Sequence, residues 1–197
     1  MGSLRKLSLY SSFYWGFCPV FKLEGLYFPN LTSLTLGQFT FYEDKQRDWI
    51  LSHSTLEELH FDKCFILFEF ESDLEGDTRR FMYPGRWHDY FDAIEKGLPR
   101  LHHFGFGTNA EWEVDVVPFE KEKEIVPILL KDRYMISQGR DNLGFRMVDD
   151  IEWPKCDEMD QEALTALYRK TGQRVDYGTV EIGRYCTVEN LIQTKGY

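Results

Sequence analysis

A mixed α/β fold, in which short parallel strands stack side by side and helices return the chain behind them, is predicted by three observations. One apolar spacing recurs, as "LRKLSL" at 4–9, "LTSLTL" at 31–36, "LEELHF" at 56–61 and "LHHFGF" at 101–106. The first three copies begin 27 and 25 residues apart, a length that holds one strand and one return segment, and the fourth follows after 45. The segments between copies carry helical periodicity and stop signals. The composition, 43% hydrophobic and 16% aromatic over 197 residues, supplies one packed core rather than a disordered chain.

Each element follows from its residues. Side chains alternate along a strand, so the two apolar residues of every LxL share one face, and a single strand of this kind buries that face only when others stack beside it. The period fits a leucine-rich repeat, in which Cys64 and Asn109 supply the next consensus position and Ser12 and Phe39 replace it. Pro29 and Pro99, in "FPNL" and "LPRL", lack an amide hydrogen and hold Phe28 and Leu98 extended, ending the return segment before the strand. In "EDKQRDWILSH" Asp44 is the expected N-cap, with Trp49 and Ile50 for burial. In "RWHDYFDAIEKG" Trp87, Tyr90, Phe91 and Ile94 recur at helical steps, and Gly97 is the expected left-handed cap. An apolar run followed by a charged excursion, at about 62–85, reads as an insertion that lengthens the last gap.

Residues 1–110 therefore read as a short, open leucine-rich-repeat solenoid, a curved parallel sheet backed by helices, and 111–197 as a less regular α/β extension packed on it. In the extension, apolar runs at 114–117 and 125–130 flank "EKEKE" and suggest one or two strands. "CDEMDQEALTALYRKTGQ" is the clearest helix. It places Ala163, Leu164, Leu167 and Tyr168 on one face, acids in its first turn, Arg169 and Lys170 in its last, and Gly172 as the stop.

Several chemistries find no support. A formal charge of −10 without a Lys/Arg-rich run disfavours nucleic acid, and no stretch is apolar enough to cross a membrane. Cys18, Cys64, Cys156 and Cys186 form no CxxC pair, which fits reduced thiols in an intracellular protein, cytoplasmic or nuclear. His102 and His103 are adjacent in a strand and face opposite sides, and Cys64 near His60 fits the repeat as a buried thiol, so no metal is expected. The seven acids between Asp149 and Glu162 lack the glycine of a calcium loop and read as a solvated face. No GxSxG, HExxH, GxGxxG or GxxxxGK[ST] occurs, and no cofactor is expected.

At "DWILSHSTLEELHFDKC" and "RWHDYFDAIEKGLPRLHHFGFG", over roughly residues 25 to 110, the chain resembles the C-terminal part of F-box-type leucine-rich-repeat proteins of filamentous fungi. The resemblance implies the substrate-recognition part of an adaptor for cullin-type ubiquitin ligases. In that family an F-box binds a Skp1-like linker and the repeats hold the target. This chain opens in a repeat at Leu4, so the Skp1-like linker is expected to bind only if an F-box lies upstream.

The expected function is thus noncatalytic protein binding; an enzyme, hydrolase or transferase, with its site in 110–197 is the other reading. If each LxL faces the core, the alternate residues form rows on the outer sheet face. These are Lys6, Ser8 and Tyr10; Ser33, Thr35 and Gly37; Glu58, His60 and Asp62; and His103, Gly105 and Gly107. The expected contact residues are Lys6, Tyr10, Thr35, Glu58, His60, Asp62 and His103. With two acids among them, the expected partner is a protein or peptide with a basic segment.

Overall fold

Every LxxLxL segment forms a strand. β1 (Lys6–Leu9), β2 (Ser33–Gly37), β4 (Glu58–Asp62) and β7 (His103–Gly107) make one parallel sheet in the order β1-β2-β4-β7. The computed structural model describes residues 4–11, 13–17, 20–23, 25–74, 77–107, 133–138 and 152–173. Register aligns the repeats residue for residue: Leu7, Leu34, Leu59 and Phe104 lie side by side, as do Leu9, Leu36, Phe61 and Phe106. Leu34, Leu36, Leu59 and Phe61 are buried, as the alternation requires.

The backbone hydrogen bonds repeat with the sequence. Before β2, β4 and β7 a turn closes from the first leucine to the residue three earlier: Leu31 N–H to Phe28 O, Leu56 to His53 and Leu101 to Leu98. Pro29 and Pro99 occupy the second position of two of these turns, where their fixed φ is already correct. Two successive amides then donate to one carbonyl of the preceding unit: Thr32 and Ser33 to Arg5, Glu57 and Glu58 to Thr32, His102 and His103 to Glu57. After β2 and β4 the chain turns through Gln38 (φ 56°) and Lys63 (φ 49°), both left-handed. Their amides donate to Asp62 O and Gly107 O, each 2.8 Å away.

Past those turns lies a second sheet. β3 (Thr40–Phe41) pairs parallel with the start of β5 (Phe65–Leu74), and β6 (Asp77–Met82) pairs antiparallel with the remainder of β5. β8 (Tyr134–Gln138) adds in parallel along the opposite edge of β5. The insertion expected at about 62–85 thus carries two strands, β5 and β6, where the sequence suggested an apolar run and a charged excursion. Its apolar run alternates between two cores: Ile66 and Phe68 face the main one, Phe65 and Leu67 a smaller one shared with Met135.

Helix α1 (Asp44–Leu51) starts one residue earlier than expected. Glu43 is its N-cap, and the buried Gln46 carboxamide oxygen accepts from the Tyr42 and Glu43 amides at 2.8 and 3.3 Å. Helix α2 (Trp87–Gly97) buries all four expected residues. Gly97, however, is not a left-handed cap. The helix stops at Leu98 (φ −111°), which the following Pro99 keeps out of the helical region. A Cβ on Gly97 would lie 3.0 Å from Leu51 Cδ2, so this glycine allows close approach of α1 and α2. Helix α3 (Asp157–Lys170) buries Ala163, Leu164, Leu167 and Tyr168. It ends in a Schellman motif: Gly172 (φ 72°) donates to Arg169 O and Gln173 to Tyr168 O. Residues of β8 and α3 belong to the same apolar core as β2, β4 and β7. The strands expected at 114–117 and 125–130, and the consensus position Asn109, lie outside the described residues.

Candidate functional site

The outer rows form as the alternation predicts. Lys6, Ser33, Glu58 and His103 align in one row, Ser8, Thr35, His60 and Gly105 in the next, and Gly37, Asp62 and Gly107 in the third. Their exposure does not follow the expectation. Lys6, Ser8 and Tyr10 are exposed and Glu58 is half-buried. Thr35, His60, Asp62 and His103 are 2%, 0%, 3% and 7% exposed, so these four side chains offer little accessible surface on this face.

The glycines supply part of the reason. Instead of leaving room for a ligand, they are filled by neighbours: the Tyr10 ring lies over Gly37, and His60 leans over Gly105, its Nδ1 2.6 Å from where a Cβ would sit. His60 and His103, two positions apart in row and one strand apart in sheet, bring their rings to 5.0 Å between centroids. The expected charge complement changes with this burial. With Asp62 enclosed, the exposed charge that β1 brings to this face is Lys6.

A second polar cluster was not legible in the sequence. Asp160, read above as part of a solvated acidic run, is 0% exposed. It lies three and four residues before Ala163 and Leu164, on the buried face of α3. One carboxylate oxygen accepts from the His88 amide (2.9 Å) and His88 Nδ1 (2.8 Å). The other accepts from Arg133 Nε (2.7 Å), the Tyr134 hydroxyl (2.8 Å) and Cys156 Sγ (3.4 Å). Arg133 also reaches Asp157. Its burial works against the charge, but these acceptors outweigh it and raise its pKa.

His88, Cys156 and Asp160 offer one ligand atom each within 4.8 Å of one another, a spacing open to a metal ion. The chemistry there does not call for one. Arg133 already neutralises Asp160, and both oxygens of the carboxylate already accept from donors within the cluster. Nor is the thiol primed as a nucleophile: burial pushes Cys156 up, against a smaller lowering from the Tyr134 hydroxyl bond. The cluster ties α2, β8 and α3 together. The same burial logic applies to Cys64, whose thiol donates to Leu36 O at 3.2 Å and is raised well above its ordinary range by enclosure.

On the helix side of the first repeat, a cleft of about 550 Å³ opens between residues 20–27 and α1. Val20, Leu26 and Tyr27 stand exposed at its margin, Trp49 and Gln46 form the α1 wall, and Lys22 lines it. The Trp49 indole N–H donates to Leu26 O at 2.6 Å and fixes the 20–27 segment against the helix. Behind it, buried His53 accepts the Phe28 amide on Nε2 and donates from Nδ1 to Trp49 O, and burial lowers its pKa. Nothing in the periodicity of 20–27 signals this cleft, since it depends on how a nonrepeating return segment lies on α1. Compared with known proteins, the chain matches no family model, no curated protein and no solved structure.

Proposed function

We propose that the chain is a noncatalytic protein-binding module, a leucine-rich-repeat solenoid whose partner docks at the first repeat, in the cleft between residues 20–27 and α1. One observation carries the reading. Of the ten large apolar side chains exposed among the described residues, six, namely Leu4, Tyr10, Phe13, Val20, Leu26 and Tyr27, come from the first 27 positions. Three of them, Val20, Leu26 and Tyr27, stand together at the margin of this cleft, and contiguous exposed apolar surface marks contact with another macromolecule more often than scattered exposure does. The matching turns, strand registers and carbonyl ladders of successive units support the repeat assignment.

The partner is a protein or peptide that supplies an apolar anchor for the cleft, beside Lys22 at its wall. By the resemblance noted above, such a module is the target-holding part of a ubiquitin-ligase adaptor, joined to a Skp1-like linker only through an upstream F-box. The test compares affinity capture from source cells by the wild-type chain and by a Val20→Asp, Tyr27→Ala variant, both substitutions at exposed positions. Proteins retained by the wild type are expected to be lost from the variant, with unchanged circular dichroism. An identical retained set would overturn the cleft as the site. Tight binding of a purified Skp1-like adaptor to residues 1–197 would overturn the division of labour.

A further inference from the structure

The turns before β2, β4 and β7 put Phe28, His53 and Leu98 in one equivalent position, each accepting from the first leucine of its repeat. Of the three, only His53 has a polar side chain, and it grips its counterpart in the preceding repeat: Nε2 lies 3.2 Å from the Phe28 amide nitrogen. An amide can only donate, so Nε2 is the acceptor and the ring proton sits on Nδ1, which donates to Trp49 O at 2.9 Å. The residue is 1% exposed. Its ring lies beside those of Tyr27, Phe28 and Trp49, at 5.3, 6.0 and 4.8 Å between centroids, with Ser52 Oγ 3.3 Å from Nδ1. Both ring nitrogens of the neutral tautomer are thus satisfied, and a second ring proton meets a donor.

We propose that His53 is a proton-operated latch on the cleft: neutral, it holds the end of residues 20–27 against α1, and protonated, it releases them. A proton added to Nε2 turns the acceptor into a donor that faces the Phe28 N–H, so the hydrogen bond becomes a contact between two donors and the Phe28 amide loses its partner. Phe28 directly follows the cleft wall. Two residues before it, Leu26 O accepts the Trp49 indole N–H, a second bond that ties this stretch to α1. The two bonds meet at Trp49, whose carbonyl accepts from His53 Nδ1. Displacing Phe28 therefore pulls on Leu26 and Tyr27, which line the cleft together with Trp49.

One titrating group operates the latch. Burial is the chief cause of the lowered His53 pKa, against raising contributions from backbone bonds at Trp49 and Ile50, and no charged side chain of a described residue contributes. The 20–28 side presents the Tyr27 phenol and Phe28, and α1 and its C-cap present Trp49 and Ser52. No carboxylate, ammonium or guanidinium of a described residue is among them. The latch is closed at neutral pH and opens as pH falls through the folded value of His53, which lies below 6.5. Control of partner binding by this latch rests on the cleft reading above, whereas the release of residues 20–27 does not.

The test is an NMR titration of the isotope-labelled full chain between about pH 8 and about pH 5, with the His53 ring signals reporting its protonation. The Phe28 amide and the Trp49 indole N–H are expected to shift at the His53 midpoint. Their protection from hydrogen exchange should fall at least about tenfold there, the effect of one buried hydrogen bond lost. The Phe104 amide, which donates to Gln173 Oε1 at 2.8 Å in the last repeat, should keep its protection. His53→Gln is expected to abolish the midpoint at both reporters. Protonation of His53 with both signals unmoved, loss of Phe104 protection at the same midpoint, or persistence of the midpoint in His53→Gln would each overturn the latch. These signals are read without any partner, so they decide the latch separately from the docking reading. Proteins captured through the cleft at neutral pH should elute from the wild type across the same midpoint, and retention through it would overturn the control of binding.

Discussion

Gly105→Ala tests whether the polar face of the sheet is closed by its own side chains. The new Cβ would lie 2.6 Å from His60 Nδ1, with Cγ and Cε1 of the same ring at 3.4 and 3.5 Å. The first distance is about 0.8 Å inside ordinary van der Waals contact, so the imidazole must move. It has little space to do so, being 0% exposed and set against the His103 ring. Overpacking of this kind costs roughly 1–3 kcal/mol, while alanine regains about 0.5–1 kcal/mol over glycine in a strand interior. The expected net loss is about 0.5–2 kcal/mol.

In a His60→Ala background the obstructing ring is gone, and the same substitution should be neutral or mildly stabilising. The coupling between positions 60 and 105 is then about 1–3 kcal/mol, measurable from urea midpoints at constant slope for the four members of the cycle. Additivity within about 0.5 kcal/mol would refute the argument, because it would mean that His60 does not fill the space above Gly105.

Three further outcomes follow from named contacts. Asp160→Ala removes a fully buried carboxylate that pairs with Arg133 and should destabilise by about 3–5 kcal/mol in chemical denaturation; a loss below about 1 kcal/mol would show that the cluster is solvated. Gln173→Ala strips both partners from the Phe104 backbone, which should cost about 1–3 kcal/mol and speed hydrogen exchange at the Phe104 amide, with no change there if the β7 edge is closed by other means. His53 has a pKa lowered by burial from 6.5, so the folded chain binds this proton less readily than the unfolded one. Its contribution is complete above the unfolded value and is lost as pH falls through the lower folded one. Wild type should therefore lose stability faster below pH about 6.5 than His53→Gln, and parallel curves would remove His53 as the cause.

Local periodicity was enough to place the strands of the first sheet, β1, β2, β4 and β7, and the buried faces of α2 and α3, but not the second sheet of β3, β5, β6 and β8. The side chains of Leu34, Leu59 and Phe104 align because each sits at the same place in its LxL, and Trp87, Tyr90, Phe91 and Ile94 share a face because of helical pitch alone. The same reasoning placed Thr35, His60, Asp62 and His103 on the opposite face but could not tell whether that face meets water. Alternation says which side of a sheet a residue occupies, whereas its exposure depends on what other parts of the chain lay over that side. Asp160 shows the same division. Its helix was readable, yet its burial is decided by His88, Arg133 and Tyr134, which come from 72, 27 and 26 residues away in sequence. The sealing of the β7 edge by Gln173, 69 residues beyond Phe104, likewise leaves no local trace, because a side-chain amide can complete a sheet only after the fold has brought it there.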